Sequence, residues 1–503
     1  MSISAVVISK LNESFLKIKC DVDLAMELSE AFQFEVPGYK HTPAYKRGQW
    51  DGRIRIFNLG RRTLPVGLFD KLIEFCQQRD YTYSVESVSG LTDPGSVADI
   101  PYQKIVDYVT GLDLYGGGAP VQVRDYQFNG IHTALDKKRG VLHACTGSGK
   151  SLMLYSVCRY LTEVQNGRVL IIVPTISLTS QMKGDFADYS SNSSWDSDDN
   201  VHLISAGQDK NTEKPIVIST FQSIYKQPTD WFNGFSAIIC DEGHKINSAT
   251  IAAIYEKATA VEYKLACTGT VHDTKCNMLV MQGLTGPVYD IASTKKLIEN
   301  KQLVPLEIKS LVLDYNMPAC KAFSGSEYDD EIKFIASNIK RNNLISKLAI
   351  STTGTTLVMY RFVDIQGKPL YEKILSAAGD RPVHFINGDV KGADREEIRH
   401  TSNKTDSIIV ASYGVFSAGV NLPAIENIIF AHPFKSKITG LQSIGRGLRL
   451  KEGKLKCTLY DIADNLVYKK KVNNTYRHFG ERLKMYTQSG FTFSISHLDF
   501  NHE

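Results

Sequence analysis

Val141-Leu142-His143-Ala144-Cys145-Thr146-Gly147-Ser148-Gly149-Lys150-Ser151-Leu152-Met153-Leu154 runs from an apolar, strand-like stretch through a glycine-rich loop into an apolar, helix-like stretch. Glycines at 147 and 149 let a backbone wrap closely around a polyphosphate and present its N–H groups, where a Cβ would obstruct. A helix opening at Lys150 adds its positive end to such an anion site. The pattern matches the phosphate-binding loop, with Ala144 where a leading glycine is usual. It implies ATP: Thr146, Gly147, Ser148 and Gly149 would line the phosphates. Lys150 would reach the β/γ-phosphates and Ser151 would ligate Mg2+. Strand, loop and helix in this order belong to a doubly wound parallel sheet, and that decides the fold class.

Downstream, Ala237-Ile238-Ile239-Cys240 reads as a strand buried on both faces, followed by Asp241-Glu242-Gly243-His244. An acid pair at the carboxyl end of such a strand lies where these sheets bind ligands. Asp241 is the expected Mg2+ partner, and Glu242 the group that polarises the attacking water. Gln442-Ser443-Ile444-Gly445-Arg446-Gly447-Leu448-Arg449 places Arg446 and Arg449 on one face if the stretch is helical. Planar, permanently charged guanidinium groups suit the charge on a transferring phosphoryl group.

Apolar strands alternate with amphipathic helices through most of the chain. Val169–Val173, Ile216–Ile218 and Ala237–Cys240 read as strands of a first α/β block, and Thr356–Met359, Val383–Ile386, Ile408–Val410 and Ile428–Phe430 as strands of a second. The second block has no phosphate loop. Ahead of both, Leu24, Leu28 and Phe32, then Leu68, Leu72, Phe75 and Cys76, recur at helical spacing around an alternating Arg53-Ile54-Arg55-Ile56, giving a small α+β unit. Gly116-Gly117-Gly118-Ala119-Pro120 breaks the pattern. The expected organisation is therefore 1–115, a linker at 116–120, 121–300, and 301–503 with a basic C-terminal helix. The polar run Ser190–Asn200 reads as a mobile surface insertion.

With 503 residues, several domains are expected. A net charge of +4 leaves any nucleic-acid contact to local patches. Nine cysteines show no CxxC pair and suit buried thiols. No signal peptide or apolar span is evident, which points to the cytoplasm and no membrane partner.

The ordered motifs resemble a superfamily 2 helicase of DExH type. They are Arg124 and Gln127 in Val123-Arg124-Asp125-Tyr126-Gln127, the phosphate loop, Pro174-Thr175 through Gln181, Ser219-Thr220-Phe221-Gln222, Asp241–His244, Thr268-Gly269-Thr270, Ala411–Asn421 and Gln442–Arg449. The resemblance implies two tandem RecA-like lobes. Arg124 and Gln127 would recognise the nucleotide, and Thr175, Thr220 and Gln222 would contact one strand's phosphodiester backbone. His244, Thr268 and Thr270 would link the two sites. Ser417 and Gly419 would serve from the second lobe, and Gln442, Arg446 and Arg449 would act on ATP. Gly243, where Ala or Cys is usual, is a small departure.

Tyr45-Lys46-Arg47-Gly48-Gln49-Trp50-Asp51-Gly52-Arg53-Ile54-Arg55 followed by Leu64-Pro65-Val66-Gly67-Leu68 resembles the amino-terminal module of the UvsW-type phage helicases. That resemblance implies action on branched DNA: forks, Holliday junctions and R-loops, in a host cytoplasm and with 3′→5′ polarity. Between Lys40 and Arg62 lie seven basic residues against one acidic, interleaved with Tyr45, Trp50 and Phe57. Lys46, Arg47, Trp50, Arg53 and Arg55 are the candidate nucleic-acid contacts, by phosphate neutralisation and base stacking. A second basic cluster is Lys469, Lys470, Lys471, Arg477, Arg482 and Lys484, with Tyr476 and Phe479. The expected partners are branched, single-stranded and duplex DNA, RNA–DNA hybrids and a single-strand binding protein. Lacking a base-reading motif, the chain is expected to select structure over sequence. A duplex translocase that leaves strands paired, or an RNA helicase, shares the same motor and stays open.

Overall fold

The computed structural model describes residues 5–36, 38–86, 100–205, 207–246, 248–270, 275–388, 390, 392–414 and 424–500. By contact the chain forms two compact units. One is Met1–Ala144 with Gly149–Ile291, the other Cys145–Ser148 with Ala292–Glu503.

The first unit begins with an α+β module. Its strands are β1 (Val6–Lys10), β2 (Phe15–Lys19), β3 (Gln33–Glu35), β4 (Arg53–Arg55), β5 (Thr63–Pro65) and β6 (Tyr83–Val85). Four of them form a sheet in the order β5-β2-β1-β6, and β3 pairs with β4 as a separate antiparallel ribbon. Alternation along β1 and β2 sends Val6, Ile8, Leu16 and Ile18 into a core shared with the helices Val22–Ala31 and Phe69–Gln78. Asp21 starts the first helix by accepting from the Leu24 N–H at 2.8 Å. The spacing-based helices are present, with Phe32 just past the end of one and Leu68 just before the other. Phe57, expected to stack on bases, is instead 1% exposed within this core. The Gly116–Pro120 run, expected as a linker, folds back as a hairpin of β7 (Tyr115–Gly116) on β8 (Ala119–Pro120).

The module is keyed into the sheet that follows. At the β1–β2 turn the Ser14 hydroxyl lies 3.1–3.3 Å from the carbonyls of Tyr255, Glu256 and Ala258, the open end of the helix Ala249–Lys257. Lys264 Nζ donates to Ser14 Oγ (2.6 Å) and to Tyr255 O (2.9 Å), and Arg139 pairs with Glu13 at 2.9 Å. Burial, helped by neighbouring Arg139, pulls the Lys264 amine down to about 6. Leu64–Leu68 lies against the helix Lys275–Thr285: a Cβ on Gly67 would fall 2.0 Å from Gln282 O and 2.8 Å from Gly283 O. Gly67→Ala should therefore cost about 1–3 kcal/mol in denaturant unfolding. Gly184→Ala, in the helix Ile176–Tyr189 with open space at its Cβ, should cost nothing in the same measurement.

Seven strands form the next sheet: β9 (Arg139–Ala144), β10 (Val169–Val173), β11 (Val201–Ile204), β12 (Ile216–Thr220), β13 (Ala237–Asp241), β14 (Tyr263–Thr268) and β15 (Val288–Ala292). Their order is β11-β12-β10-β13-β14-β9-β15, paired in parallel. Uninterrupted burial of Val169–Val173 matches a strand covered by helices on both faces.

The Ser190–Asn200 run, expected as a mobile insertion, is pinned. Trp195 packs edge-on against Tyr155 (5.5 Å), with the Arg159 guanidinium 4.9 Å from its ring, and Ser190 and Ser197 are buried.

The second unit's sheet contains β16 (Leu306–Asp314), β17 (Thr355–Tyr360), β18 (Val383–Ile386), β19 (Ile408–Ser412), β20 (Ile425–Phe430), β21 (Cys457–Asn465) and β22 (Phe493–Asp499), ordered β18-β19-β17-β20-β21-β16-β22 and again parallel. Counted from its own first strand, each sheet runs third, fourth, second, fifth, sixth, first, seventh. Both are RecA-like lobes. They differ after the first strand: β9 leads into the glycine loop, whereas β16 leads through Asn316 into the short helix Met317–Ala322.

Candidate functional site: the loop edge of the first sheet

The helix Lys150–Glu163 begins directly after the loop, and its residues Leu152–Leu161 are all buried. Gly147 (φ 87°) and Gly149 (φ 81°) both take the left-handed conformation that favours glycine. A Cβ on Gly149 would lie 2.3 Å from Gln127 Nε2, so the amide sits directly over the loop and any larger residue would have to displace it. Gln127 is fixed from its own helix start, where its Oε1 accepts from the Arg124 N–H at 2.9 Å. Lys150 Nζ donates to Ala144 O at 3.1 Å, spanning the loop's two ends. Ser151 Oγ shares a hydrogen bond of 2.8 Å with Tyr189 OH. This glycine cradle at a helix N-terminus fits a polyphosphate, and the oxygen donors Ser151 and Asp241 fit a hard divalent cation.

Asp241 ends β13. Burial, and next the negative charge of Glu242, push its carboxyl upward against the opposing pull of Lys150. Glu242 is left-handed (φ 60°), and its N–H donates to Asp241 Oδ1 at 3.0 Å. His244 Nδ1 lies 3.2 Å from Glu242 Oε2 and 3.4 Å from Thr268 Oγ1, at the end of the neighbouring strand β14. The Thr268 hydroxyl donates to Thr270 O (2.8 Å) and accepts from the Thr270 N–H (3.3 Å). Glu242, His244, Thr268 and Thr270 thus form one connected series. Gly243 has a steric reason: its Cβ would fall 2.9 Å from Ala266 Cβ.

The residues expected to hold a strand lie on the same edge, because Val173 of β10 is in register with Thr220 of β12. Thr175 is the N-cap of the helix Ile176–Tyr189, with its Oγ1 3.1 Å from Ser177 Oγ. Gln222 is exposed. Thr220 is only 4% exposed and its hydroxyl is bonded to Ser223 at 2.9 Å, so its side chain is turned inward.

In the second lobe the helix Lys437–Gly447 carries Gln442 and Arg446. Arg446 is buried, but the helix stops at Gly447, so Arg449 sits in the bend beyond it and the two do not share a helical face. Glycine fits at 447 because a Cβ there would lie 2.6 Å from Cys457 Sγ and 2.8 Å from Ile428 Cδ1. Lys454, which sequence reasoning passed over, donates to Gly447 O (2.6 Å) and Arg449 O (3.1 Å) and closes the helix end. Ser417, Gly419 and the Gln442 side chain lie outside the described residues.

The basic module residues are exposed on and around the β3–β4 ribbon. Lys46 and Arg47 face solvent, Arg55 pairs with Asp51 (2.6 Å), Arg53 with Glu35 (3.4 Å), and Trp50 Nε1 donates to Arg53 O (2.9 Å). Such exposed pairs are weak enough to exchange for phosphates. The C-terminal cluster divides. Lys469–Lys471 belongs to a turn closed by Tyr468 and Lys471, ahead of the helix Asn474–Gln488. Arg482 is 2% exposed and bound to Asp461, and Phe479 is buried beside it, so neither is a DNA contact. Asp461 and Asp464 inside the apolar strand β21 were the signal that a buried cation would be found.

Three family descriptions match parts of the chain: DNA helicase UvsW, N-terminal, over residues 7–86; type III restriction enzyme, res subunit, over 120–273; and the helicase conserved C-terminal domain over 339–451. The ATP-dependent DNA helicase uvsW of Enterobacteria phage T4 is 32% identical, covering 94% of this chain and 93% of the relative. A DNA 3'-5' translocase XPB2 of Sulfurisphaera tokodaii is 24% identical over 66% of this chain and 80% of its own. The crystal structure of T4 UvsW aligns over 98% of this chain and 99% of that one, at 29% identity and a TM-score of 0.53.

Proposed function

The chain belongs to the UvsW family of superfamily 2 ATP-dependent DNA helicases, and from that membership we propose that it unwinds and branch-migrates forked DNA, Holliday junctions and R-loops. The observation that carries the reading is the shared edge of the first sheet. Phosphate loop, acid pair and strand-facing Thr175 and Gln222 all follow strands of one register there.

In this reading the loop and Lys150 grip the β- and γ-phosphates while Gln127 and Arg124 position the nucleotide. Ser151 and Asp241 would hold Mg2+, which offsets charge on the phosphoryl oxygens. Glu242 takes the proton of the attacking water, and Arg446 and Arg449 meet the charge of the transferring group. His244 Nδ1 lies within reach of both Glu242 and Thr268, so a change at the carboxylate would reach Thr270 by way of His244 and Thr268. Thr175, Gln222 and the start of the helix at Thr220 track one strand. The ribbon with Lys46, Arg47, Trp50, Arg53 and Arg55 meets the duplex or the branch point by phosphate and stacking contacts. Strands released this way suit a single-strand binding protein as partner.

Strand displacement tests this on a fork, a four-way junction and an R-loop, with Lys150→Ala as the comparison. Wild type should open all three in an ATP-dependent way and Lys150→Ala none; equal unwinding by the two would sink the proposal. Displacement of a triplex strand without opening of the fork would instead favour duplex translocation. The match to the res subunit of type III restriction enzymes supports that second reading.

A further inference from the structure

Tyr189 is the last residue of the helix Ile176–Tyr189, and the helix's N-cap is Thr175. One element thus starts at a residue read as a strand contact and ends with a hydroxyl 2.8 Å from Ser151 of the phosphate loop. Its 14 residues span about 21 Å at 1.5 Å each. Its inner face is fixed: Thr179, Met182 and Phe186 are buried, Phe186 meets the Tyr155 ring at 5.2 Å and Tyr189 meets it at 5.6 Å. Tyr155 lies one helical turn beyond Ser151, so both contacts fall on the same face of the helix Lys150–Glu163. A displacement at Thr175 is carried along a packed rod, with no loop between it and Tyr189 to absorb it.

We propose that Tyr189 is a positioning residue that orients the Ser151 hydroxyl for the metal, and that the helix from Thr175 to Tyr189 conveys strand occupancy to the ATP site. The inference rests on the reading of Ser151 as a metal ligand. When a serine oxygen gives a lone pair to a cation, its proton needs an acceptor, and here Tyr189 Oη is in reach. Ser151 then donates to Tyr189, which selects one rotamer of a hydroxyl that could otherwise point elsewhere. A strand that draws Thr175 shifts the far end of the rod and changes how well that rotamer is held.

The test uses the full chain and a fluorescent ATP analogue, titrating Mg2+ with and without single-stranded DNA. In wild type, DNA should shift the Mg2+ concentration at half-maximal analogue binding. Tyr189→Phe keeps the ring against Tyr155 and loses only the hydroxyl. It should need about threefold to tenfold more Mg2+, the worth of one neutral hydrogen bond. DNA should no longer move its midpoint, and the unliganded variant should melt with wild type. Tyr189→Leu removes the ring as well and should melt lower. Wild-type Mg2+ dependence in Tyr189→Phe, or a shift seen only with Tyr189→Leu, would overturn the proposal, because packing and not the hydroxyl would then be responsible. Failure of the parent reading has a different signature: Lys150→Ala would keep analogue binding and turnover intact.

Discussion

Glu242→Gln is expected to lower ATP turnover by about 10²–10⁴-fold, the usual contribution of a positioned general base, while analogue and DNA binding stay near wild type. Glutamine keeps the shape and can still hydrogen-bond to His244 Nδ1, now 3.2 Å from the Glu242 carboxylate. What it loses is the capacity to take a proton. Asp241, the residue read as holding the metal, is untouched, and its carboxyl is no longer opposed by a neighbouring negative charge. Binding should therefore survive. Single-turnover ATP hydrolysis beside equilibrium analogue binding measures the two separately, and a parallel loss of both would remove Glu242 from the role of base.

The second large effect concerns stability. Asp461→Asn should cost about 3–5 kcal/mol, because it leaves the Arg482 guanidinium buried without its counter-charge. Arg482 and Asp461 are 2% and 0% exposed. Arg482 Nη2 donates to Asp461 Oδ1 at 2.8 Å, Tyr486 OH donates to the same carboxylate at 2.9 Å, and Arg482 Nη1 holds Phe434 O at 2.9 Å. A second buried pair, Arg341 with Asp464, holds Ala431 O in the same turn. That turn leads into the helix bearing Arg446, so loss of the pair should also lower turnover in whatever fraction stays folded. Thermal unfolding followed by calorimetry reads the cost. The double variant Asp461→Leu with Arg482→Met, which buries no charge, should recover much of it. A single variant as stable as wild type would refute the account.

The sequence made the sheets legible because strands covered on both faces are uninterrupted apolar runs, as in Val169–Val173 and Ala237–Cys240. The loop edge was legible too, since a phosphate cradle needs glycine where φ is positive and carboxylates need a strand end. Strand order was not, because it depends on crossovers that no local pattern records. Composition misled in two directions. Arg482 and Phe57 looked like surface groups for nucleic acid, yet Asp461 across the fold takes the first and the module's core the second. Polar Ser190–Asn200 looked loose, but one Trp195 among the serines anchors it. Leu64–Leu68, quoted as a module signature, is legible only in three dimensions as the face that lies on the helix Lys275–Thr285.

The seating of Ser14 and Gly67 has a mechanical corollary. A head joined by a tether swings, and a load on it is dissipated as chain disorder before anything else responds. Here Ser14 sits in a helix's open carbonyl end and Gly67 lies against main chain, so the ribbon is braced like the tooth of a gear. If the ribbon meets a branch point at Trp50 as proposed, the load would be delivered at Arg139 and Lys264, the first residue and the second residue of two adjoining strands whose far ends are the phosphate loop and Thr268.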